Sequence, residues 1–353
     1  MPTCALTQSQ HETNSMTIDR TSPAPGIKEV AKRAGVSPGT VSNALNRPER
    51  VAEATRERVL AAIRETGFVP NASASRLRAL DNRAIGILVI DVGNLFHTSL
   101  ARAAQRVADD RGFQAMLCDG DREPERMCRL IEFLESQRVA GVLATGSSLP
   151  GVGERLDALR RRGAAVVLVD APTTDPGRCS VAMDDVHGGE IVGEHLLEVG
   201  RRRISYVEIE YEFAPFEDRL RGLRHAVGDR ADINVVRVPV SELEDERVAA
   251  DAVIAAGSDA VFCMNDHVAF SVLRGLQERG IRVPDDVAVV GYDDNEFASM
   301  MATPLTSVRQ SAQLLGETAA RLLLEECADE DHVHQHITYQ PRLVARASTL
   351  GHS

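Results

Sequence analysis

The chain has no tryptophan, and phenylalanine and tyrosine together make up only 4% of its 353 residues, so no indole face is on offer and ring stacking of any kind has few side chains to draw on. No apolar run approaches the roughly 20 residues a membrane span needs. The start, Met1-Pro2-Thr3-Cys4-Ala5, lacks the basic-then-apolar order of a secretory signal. A cytoplasmic protein with no membrane partner is therefore expected. The six cysteines (Cys4, Cys118, Cys128, Cys179, Cys263, Cys327) show no C-x-x-C spacing, which argues against a disulfide framework and a zinc knuckle. Catalytic motifs are missing as well. Gly151-Val152-Gly153 lacks the third glycine of a dinucleotide loop, no phosphate-cradling loop ends in Lys-Ser/Thr, and no G-x-S-x-G elbow occurs. No enzyme and no cofactor is expected.

Lysine is almost absent, and its placement is informative: Lys28 and Lys32 are the only two. They lie in residues 27–80, where ten Lys/Arg face five Asp/Glu, although the whole chain carries −12. That segment is +5, the preceding 26 residues are −1 and the remainder is −16. A basic head on an acidic body concentrates cations where a polyanion would bind and repels it elsewhere.

Residues 1–26 are polar, rich in Pro, Ser and Thr and without apolar periodicity, which reads as a disordered leader. Met16 offers an alternative start. From Ala84 onward, apolar runs (Ile85–Ile90, Gln114–Leu117, Gly141–Ala144, Ala165–Val169, Ile204–Val207, Val235–Val238, Ala260–Cys263, Val287–Val290) alternate with amphipathic segments such as Ser99–Arg111, Glu125–Glu135, Glu190–Val199, Val248–Ala256 and Val268–Arg279. Such alternation predicts βαβ units with parallel sheets covered on both faces. Eight strands suit two doubly wound halves better than one sheet. Ligands in such folds bind outside the carboxyl ends of the strands, which singles out Asp91, Asp170, Asn265 and Asp293.

Residues 27–45 have the layout of a helix-turn-helix in an all-α head. Ala31 is small where two helices cross, Gly35 supplies a left-handed turn, Ser37 and Pro38 start the second helix, and Val36, Val41 and Leu45 give it a buried side. A third helix over Ala54–Thr66 buries Val59, Ala62 and Ile63 and stops at Gly67. The polar tips Thr40, Ser42, Asn43 and Asn46 favour a recognition helix in the major groove.

The ordered set Val36-Ser37-x-x-Thr40-Val41-Ser42-x-x-Leu45-Asn46, Thr55-Arg56-x-x-Val59 and Gly67-Phe68-x-Pro70-Asn71 resembles the head of the lactose-repressor (LacI/GalR) family of bacterial transcription regulators. The body continues the resemblance at Ile85-Gly86, Gln137-Arg138-Val139-x-Gly141, Asn265-Asp266, Val290-Gly291-Tyr292-Asp293-Asp294 and Pro304-Leu305-Thr306-Ser307-Val308. What the resemblance implies is a homodimeric repressor that binds pseudo-palindromic operator DNA. Its body would be a periplasmic-binding-protein-like sensor for a small effector, with a sugar as the default class. On this reading the chain divides into the leader (1–26), a helix-turn-helix domain (27–70), a hinge helix and linker (71–82) and a sensor (83–348). The sensor would have two subdomains, with a boundary near 183 and crossovers near 308 and 340.

DNA contacts are expected from Ser37, Thr40, Ser42, Asn43, Asn46 and Arg47, and from Asn71, Ala74 and Leu77 of the hinge, where the family's leucine wedges the minor groove. Effector contacts are expected from Asp91, Phe96, Asp170, Arg219, Asn265 and Asp293, with Arg219 in Arg219-Leu220-x-Gly222 matching the family's arginine and not needed to fill core volume. Two departures stand out: Pro38 and Gly39 offer no side-chain donors where other members read bases, and Ala52 leaves the third helix without a side-chain cap. The loop Pro239–Glu244 lacks an aromatic, so Phe96, Phe213 and Phe216 are the available ring faces. Asp184-Asp185 and Asp293-Asp294 have no partner that spacing reveals. His332, His334 and His336 alternate as if on one face of a late edge strand, where solvated histidines with no metal are expected. A dimer is favoured over a tetramer because no heptad-bearing helix ends the sequence. The competing reading is a small-molecule-binding protein with a non-functional DNA-binding head, and salt-dependent retention on DNA separates the two.

Overall fold

A computed structural model describes residues 26–68, 83–171, 173–210, 213–239, 245–329 and 331–351. Residues 1–25 of the leader, the hinge with Asn71, Ala74 and Leu77, and residues 240–244 lie outside them. The chain divides into two units at Asp81/Asn82.

In the head, α1 (Ile27–Ala34) ends at Gly35, whose φ of 67° is the left-handed turn that lets the chain reverse into α2 (Pro38–Asn46). The Ser37 Oγ accepts from the Thr40 N–H at 3.1 Å and so caps α2. The third helix, α3 (Glu53–Thr66), starts at Ala52 with no side-chain cap, as the sequence implies, and stops at the left-handed Gly67. Val30, Ala31, Ala34, Val41, Ala44, Val59 and Ala62 form the core, with Val36, Leu45 and Ile63 packed at its edge.

The body contains two six-stranded sheets. The first has the order β11-β5-β4-β3-β1-β2 and the second β12-β10-β9-β8-β6-β7. The strands of the first are β1 (Ala84–Val89), β2 (Gln114–Asp119), β3 (Gly141–Ala144), β4 (Ala165–Val169), β5 (Cys179–Met183) and β11 (His336–Tyr339). Those of the second are β6 (Arg203–Ile209), β7 (Asp232–Val238), β8 (Ala260–Cys263), β9 (Ala288–Asp293), β10 (Thr306–Arg309) and β12 (Arg342–Val344). Pairing is parallel except between β10 and β12. Every residue of β1, β3, β4, β5, β8 and β9 is buried, whereas the edge strands β2, β7 and β11 expose part of theirs. Parallel strands covered by helices on both faces produce this pattern and explain the unbroken apolar runs.

The helices between strands are α4 (Leu95–Asp110), α5 (Pro124–Ser136), α6 (Val152–Arg161), α7 (Asp185–Glu198), α8 (Ala214–Val227), α9 (Glu246–Ala255), α10 (Asp266–Glu278) and α11 (Ala312–Ala328), with a final turn α12 (Ala347–Leu350). The chain leaves the second sheet after β10, contributes α11 and β11 to the first, and returns to the second at β12. The histidines differ from their sequence reading. His336 starts β11, but His332 and His334 precede it, half-buried in the connection from α11.

Candidate functional site

On the head, the expected DNA readers sit in different local settings. The hydroxyls of Ser37 and Thr40 bond to each other at 2.9 Å, so both are engaged at the start of α2. Ser42 is half-buried and has a partner of its own. Asn43 stands exposed one turn into the helix, Asn46 ends it, and Arg47 follows, exposed. Lys28 and Lys32 on α1 are exposed too, whereas Arg33 is paired with Glu65 at 2.6 Å. The head thus presents the exposed Asn43 amide on α2 together with exposed cations at Lys28, Lys32 and Arg47, groups suited to base reading and to phosphate contacts.

In the body, a cavity lies at the carboxyl ends of strands from both sheets, with about 60 Å³ of free space. Asp91, Phe96, Asp170, Arg219, Asn265 and Asp293 all line it, as do Phe213 and Phe216. Ile90, Ile209 and Met264 supply apolar wall. Asp170 directly follows β4, Asn265 follows β8 by one residue and Asp293 ends β9, so the sheets themselves position these groups. Asp170 and Asp293 hold positive φ of 57° and 114°, a strained backbone that aims a carboxylate where an ordinary strand end would not.

Arg219 is the centre of this cluster, and it is only 2% exposed. Its Nε donates to Asp185 Oδ1 at 2.8 Å, its Nη1 donates to the Met264 carbonyl, and its guanidinium carbon sits 3.6 Å above the centre of the Tyr292 ring. Burial works against its charge, but Asp185, Asp170 and Asp293 hold the guanidinium even more firmly protonated than usual. This corrects the expectation that Arg219 is dispensable to the core. Glycines create the geometry: a Cβ on Gly222 would run into the Val186 carbonyl oxygen and one on Gly189 into that of Arg219, so α7 and α8 touch backbone to backbone. That contact brings Asp185 of α7 against Arg219 of α8.

Negative groups outnumber the positive one. Burial, reinforced by the charge of Asp185, pushes the Asp170 carboxyl up to about 7, against the pull of Arg219. Burial and the charge of Asp266 push Asp293 up to about 8. Asp293 Oδ1 accepts from Gln310, yet its Oδ2 and the Asp170 Oδ1 are buried without a partner. His97, whose Nδ1 is 2.9 Å from the Asp91 carbonyl oxygen, is driven toward its neutral form by burial. Two expected ligands have structural duties as well. Asp91 closes a turn through the Gly93 N–H at 2.7 Å and faces Arg122, while Asn265 Oδ1 caps α10 through the Val268 N–H at 3.0 Å. The sequence marks Asp185 only as half of an acidic pair and Tyr292 only as part of a motif, and it singles out neither His97 nor Gln310. Asp185 and Arg219 lie 34 residues apart with no periodic relation that could have joined them.

The description "Bacterial regulatory proteins, lacI family" matches residues 26–71, and "Periplasmic binding protein-like domain" matches residues 194–349. The HTH-type transcriptional repressor PurR of Aliivibrio fischeri (strain MJ11) is 31% identical over 340 residues, spanning 92% of this chain and 98% of that protein. The chain belongs to the lacI family of bacterial regulatory proteins.

Among solved structures, the CelR–cellobiose complex is 30% identical with a TM-score of 0.66, over 92% of this chain and 99% of that one. The lac repressor dimer bound to operator and the anti-inducer ONPF is 25% identical with a TM-score of 0.77, over 93% of this chain and all of that one. This lacI-family protein is a DNA-binding transcriptional regulator whose body has the periplasmic-binding-protein fold. Its curated relatives are named as repressors, and no helix among its described residues is long and apolar enough to cross a membrane. The expectation of paired acids without partners is corrected: Asp185 pairs with Arg219, and Asp294 pairs with Arg309 and, at 2.6 Å, with Arg346.

Proposed function

We propose that this protein is a metabolite-controlled repressor that binds pseudo-palindromic operator DNA as a homodimer, and that its effector is a compact molecule bearing several hydroxyl or amine donors, a sugar or a related polar compound. The observation that carries the effector class is the pair of buried, unpartnered carboxylate oxygens, Asp170 Oδ1 and Asp293 Oδ2, beside the fixed guanidinium of Arg219. A buried acceptor without a donor costs about 1–3 kcal/mol. A ligand hydroxyl at each oxygen, which donates to the carboxylate and accepts from the protonated acid, recovers that cost. Phe96, Phe213 and Phe216 offer ring faces, and Asn265 and Asp91 complete the polar rim. The cellobiose held by the CelR relative supports the sugar class.

In this reading Asn43 reads a base edge, Arg47, Lys28 and Lys32 hold phosphates, Ser37, Thr40, Ser42 and Asn46 shape the start and flank of the reading helix, and Asn71, Ala74 and Leu77 act in the minor groove. The effector controls DNA binding through the two body conformations it distinguishes, since a ligand with equal affinity for both shifts nothing. Footprinting of the full-length protein on DNA upstream of its own and neighbouring genes, with and without sugars, polyols and nucleosides, tests this function. Protection of a two-fold site that weakens steeply with salt and responds to one compound supports it. No protection at low salt under any condition overturns it.

A further inference from the structure

The cleft uses the carboxyl ends of the strands. At the opposite end of the first sheet the structure assembles a second set of donor groups that the sensing function does not use. Cys179 opens β5 and is fully buried. Its Sγ lies 3.2 Å from His332 Nε2 and 3.7 Å from His334 Nδ1. Glu326, in the last turn of α11, directs Oε2 to within 3.9 Å of His334 Nδ1, and this oxygen is buried with no hydrogen-bond partner. One donor atom from each of the four residues falls within 4.8 Å of all the others. Val333, between the two histidines, is 78% exposed, so the extended chain turns both imidazoles inward and its apolar residue outward.

We propose that Cys179, Glu326, His332 and His334 form a structural zinc site that ties the connection from α11 to β11 onto the edge of the first sheet. The donor set is a thiolate, two imidazoles and a carboxylate, which a borderline-soft d¹⁰ cation accepts in a tetrahedron. Zinc bonds of about 2.0–2.3 Å to such donors place them about 3.3–3.8 Å apart in a tetrahedron. The observed separations of 3.2, 3.7 and 3.9 Å fall near that range, and the remaining pairs, within 4.8 Å, close to it by side-chain rotation of up to about 1 Å. Four protein ligands close the coordination sphere, which fits a structural and not a catalytic role. Binding displaces the Cys179 thiol proton to solvent as the S–Zn bond forms, and the cation supplies the charge that the buried Glu326 oxygen lacks. The neighbouring cation Arg160 does not fill that role, because it donates to the Gly177 carbonyl and faces Asp175 at 3.9 Å. The site anchors β11, the strand from which the chain returns to the second sheet.

The test is metal titration of the full-length, chelator-stripped, reduced protein with zinc, and with cobalt as a spectroscopic stand-in. One zinc per chain at micromolar or tighter affinity is expected, with a rise in melting temperature. Cobalt should give tetrahedral visible bands and a thiolate charge-transfer band. C179S should abolish the charge-transfer band, and H332Q and H334Q should each weaken zinc binding at least tenfold. H336Q should bind as the parent does, since that ring bonds Ser180 Oγ and lies outside the cluster. Should C179S misfold, H332Q, at a half-buried position in the connection before β11, carries the test alone. Absence of stoichiometric zinc, or a cobalt spectrum unchanged by C179S, overturns the proposal. Neither result bears on operator or effector binding.

Discussion

The reading helix of the head and the cleft of the body hold their polar residues under opposite conditions. Asn43 and Arg47 stand in solvent, above a core of seven small apolar side chains that would pack equally well beneath other surface residues. Asp170, Arg219 and Asp293 are buried against one another, the guanidinium fully engaged and one oxygen of each acid left without a partner, so a change at any of them is felt in stability as well as in binding. The contrast shows where function and stability separate. An exposed reader can change its target with little effect on folding, whereas a buried sensor residue cannot change without disturbing what its neighbours can tolerate.

Removing the guanidinium sharpens that contrast most. Arg219→Ala leaves Asp185, Asp170 and Asp293 without their shared cation, and a broken buried pair of this kind costs about 3–5 kcal/mol. Urea unfolding of the full-length variant should show that loss before any ligand is added, and a change under 1 kcal/mol would mean that water already solvates the cluster.

The cleft acids give the next effect, through pH. Asp170 and Asp293 titrate near 7 and 8 in the folded body but near 3.9 when unfolded. The folded form therefore binds more protons across that window, and the stability contributed by these groups falls as pH rises from about 4 to 8. Asp170→Asn and Asp293→Asn should each flatten this decline, gaining on the order of 2 kcal/mol relative to the parent between pH 5 and 8. Parallel pH profiles for parent and variants would contradict the burial argument.

Smaller effects lie in the head. Ser37→Ala removes the cap of α2 and should cost about 1 kcal/mol, read as faster amide exchange across that helix in the full chain. Asn43→Ala should leave stability within about 0.5 kcal/mol of the parent. Its cost should appear in operator discrimination, at about 1–3 kcal/mol for one base position if the amide reads an adenine edge. Equal loss on all DNA sequences would make Asn43 a phosphate contact.

The eight apolar runs of the sequence correspond to β1–β4 and β6–β9; six of these are interior parallel strands with both faces covered, while the edge strands β2 and β7 carry apolar runs that are only partly buried. The strands that lacked such a signal were β5, β10, β11 and β12. In β10 the buried positions are Thr306, Ser307 and Val308; the first two are polar, and their hydroxyls bond the Arg346 carbonyl and Asp266, so only Val308 carries an apolar signal there. Five of the six expected cleft residues were legible as polar groups after strands or as part of a family motif, and Phe96 only as one of the few ring faces the chain offers. Asp185 and Tyr292 were not, since only the close crossing of α7 and α8 at two glycines brings Asp185 to Arg219, and Tyr292 reads as an ordinary core residue until the guanidinium is seen over its ring. The histidines misled for a related reason: alternation indicated a shared face, but burial against Cys179 and Glu326 is a tertiary fact.

The central claim is that donor-bearing effectors bind at Asp170, Arg219 and Asp293. It is tested most directly by thermal unfolding of the parent and of Asp293→Asn against a panel of sugars, sugar acids, polyols and nucleosides. At least one compound should stabilise the parent, by about 2.7 kcal/mol at one hundred times its Kd, and that stabilisation should be lost in Asp293→Asn. Full stabilisation of the variant by the same compound would contradict the account.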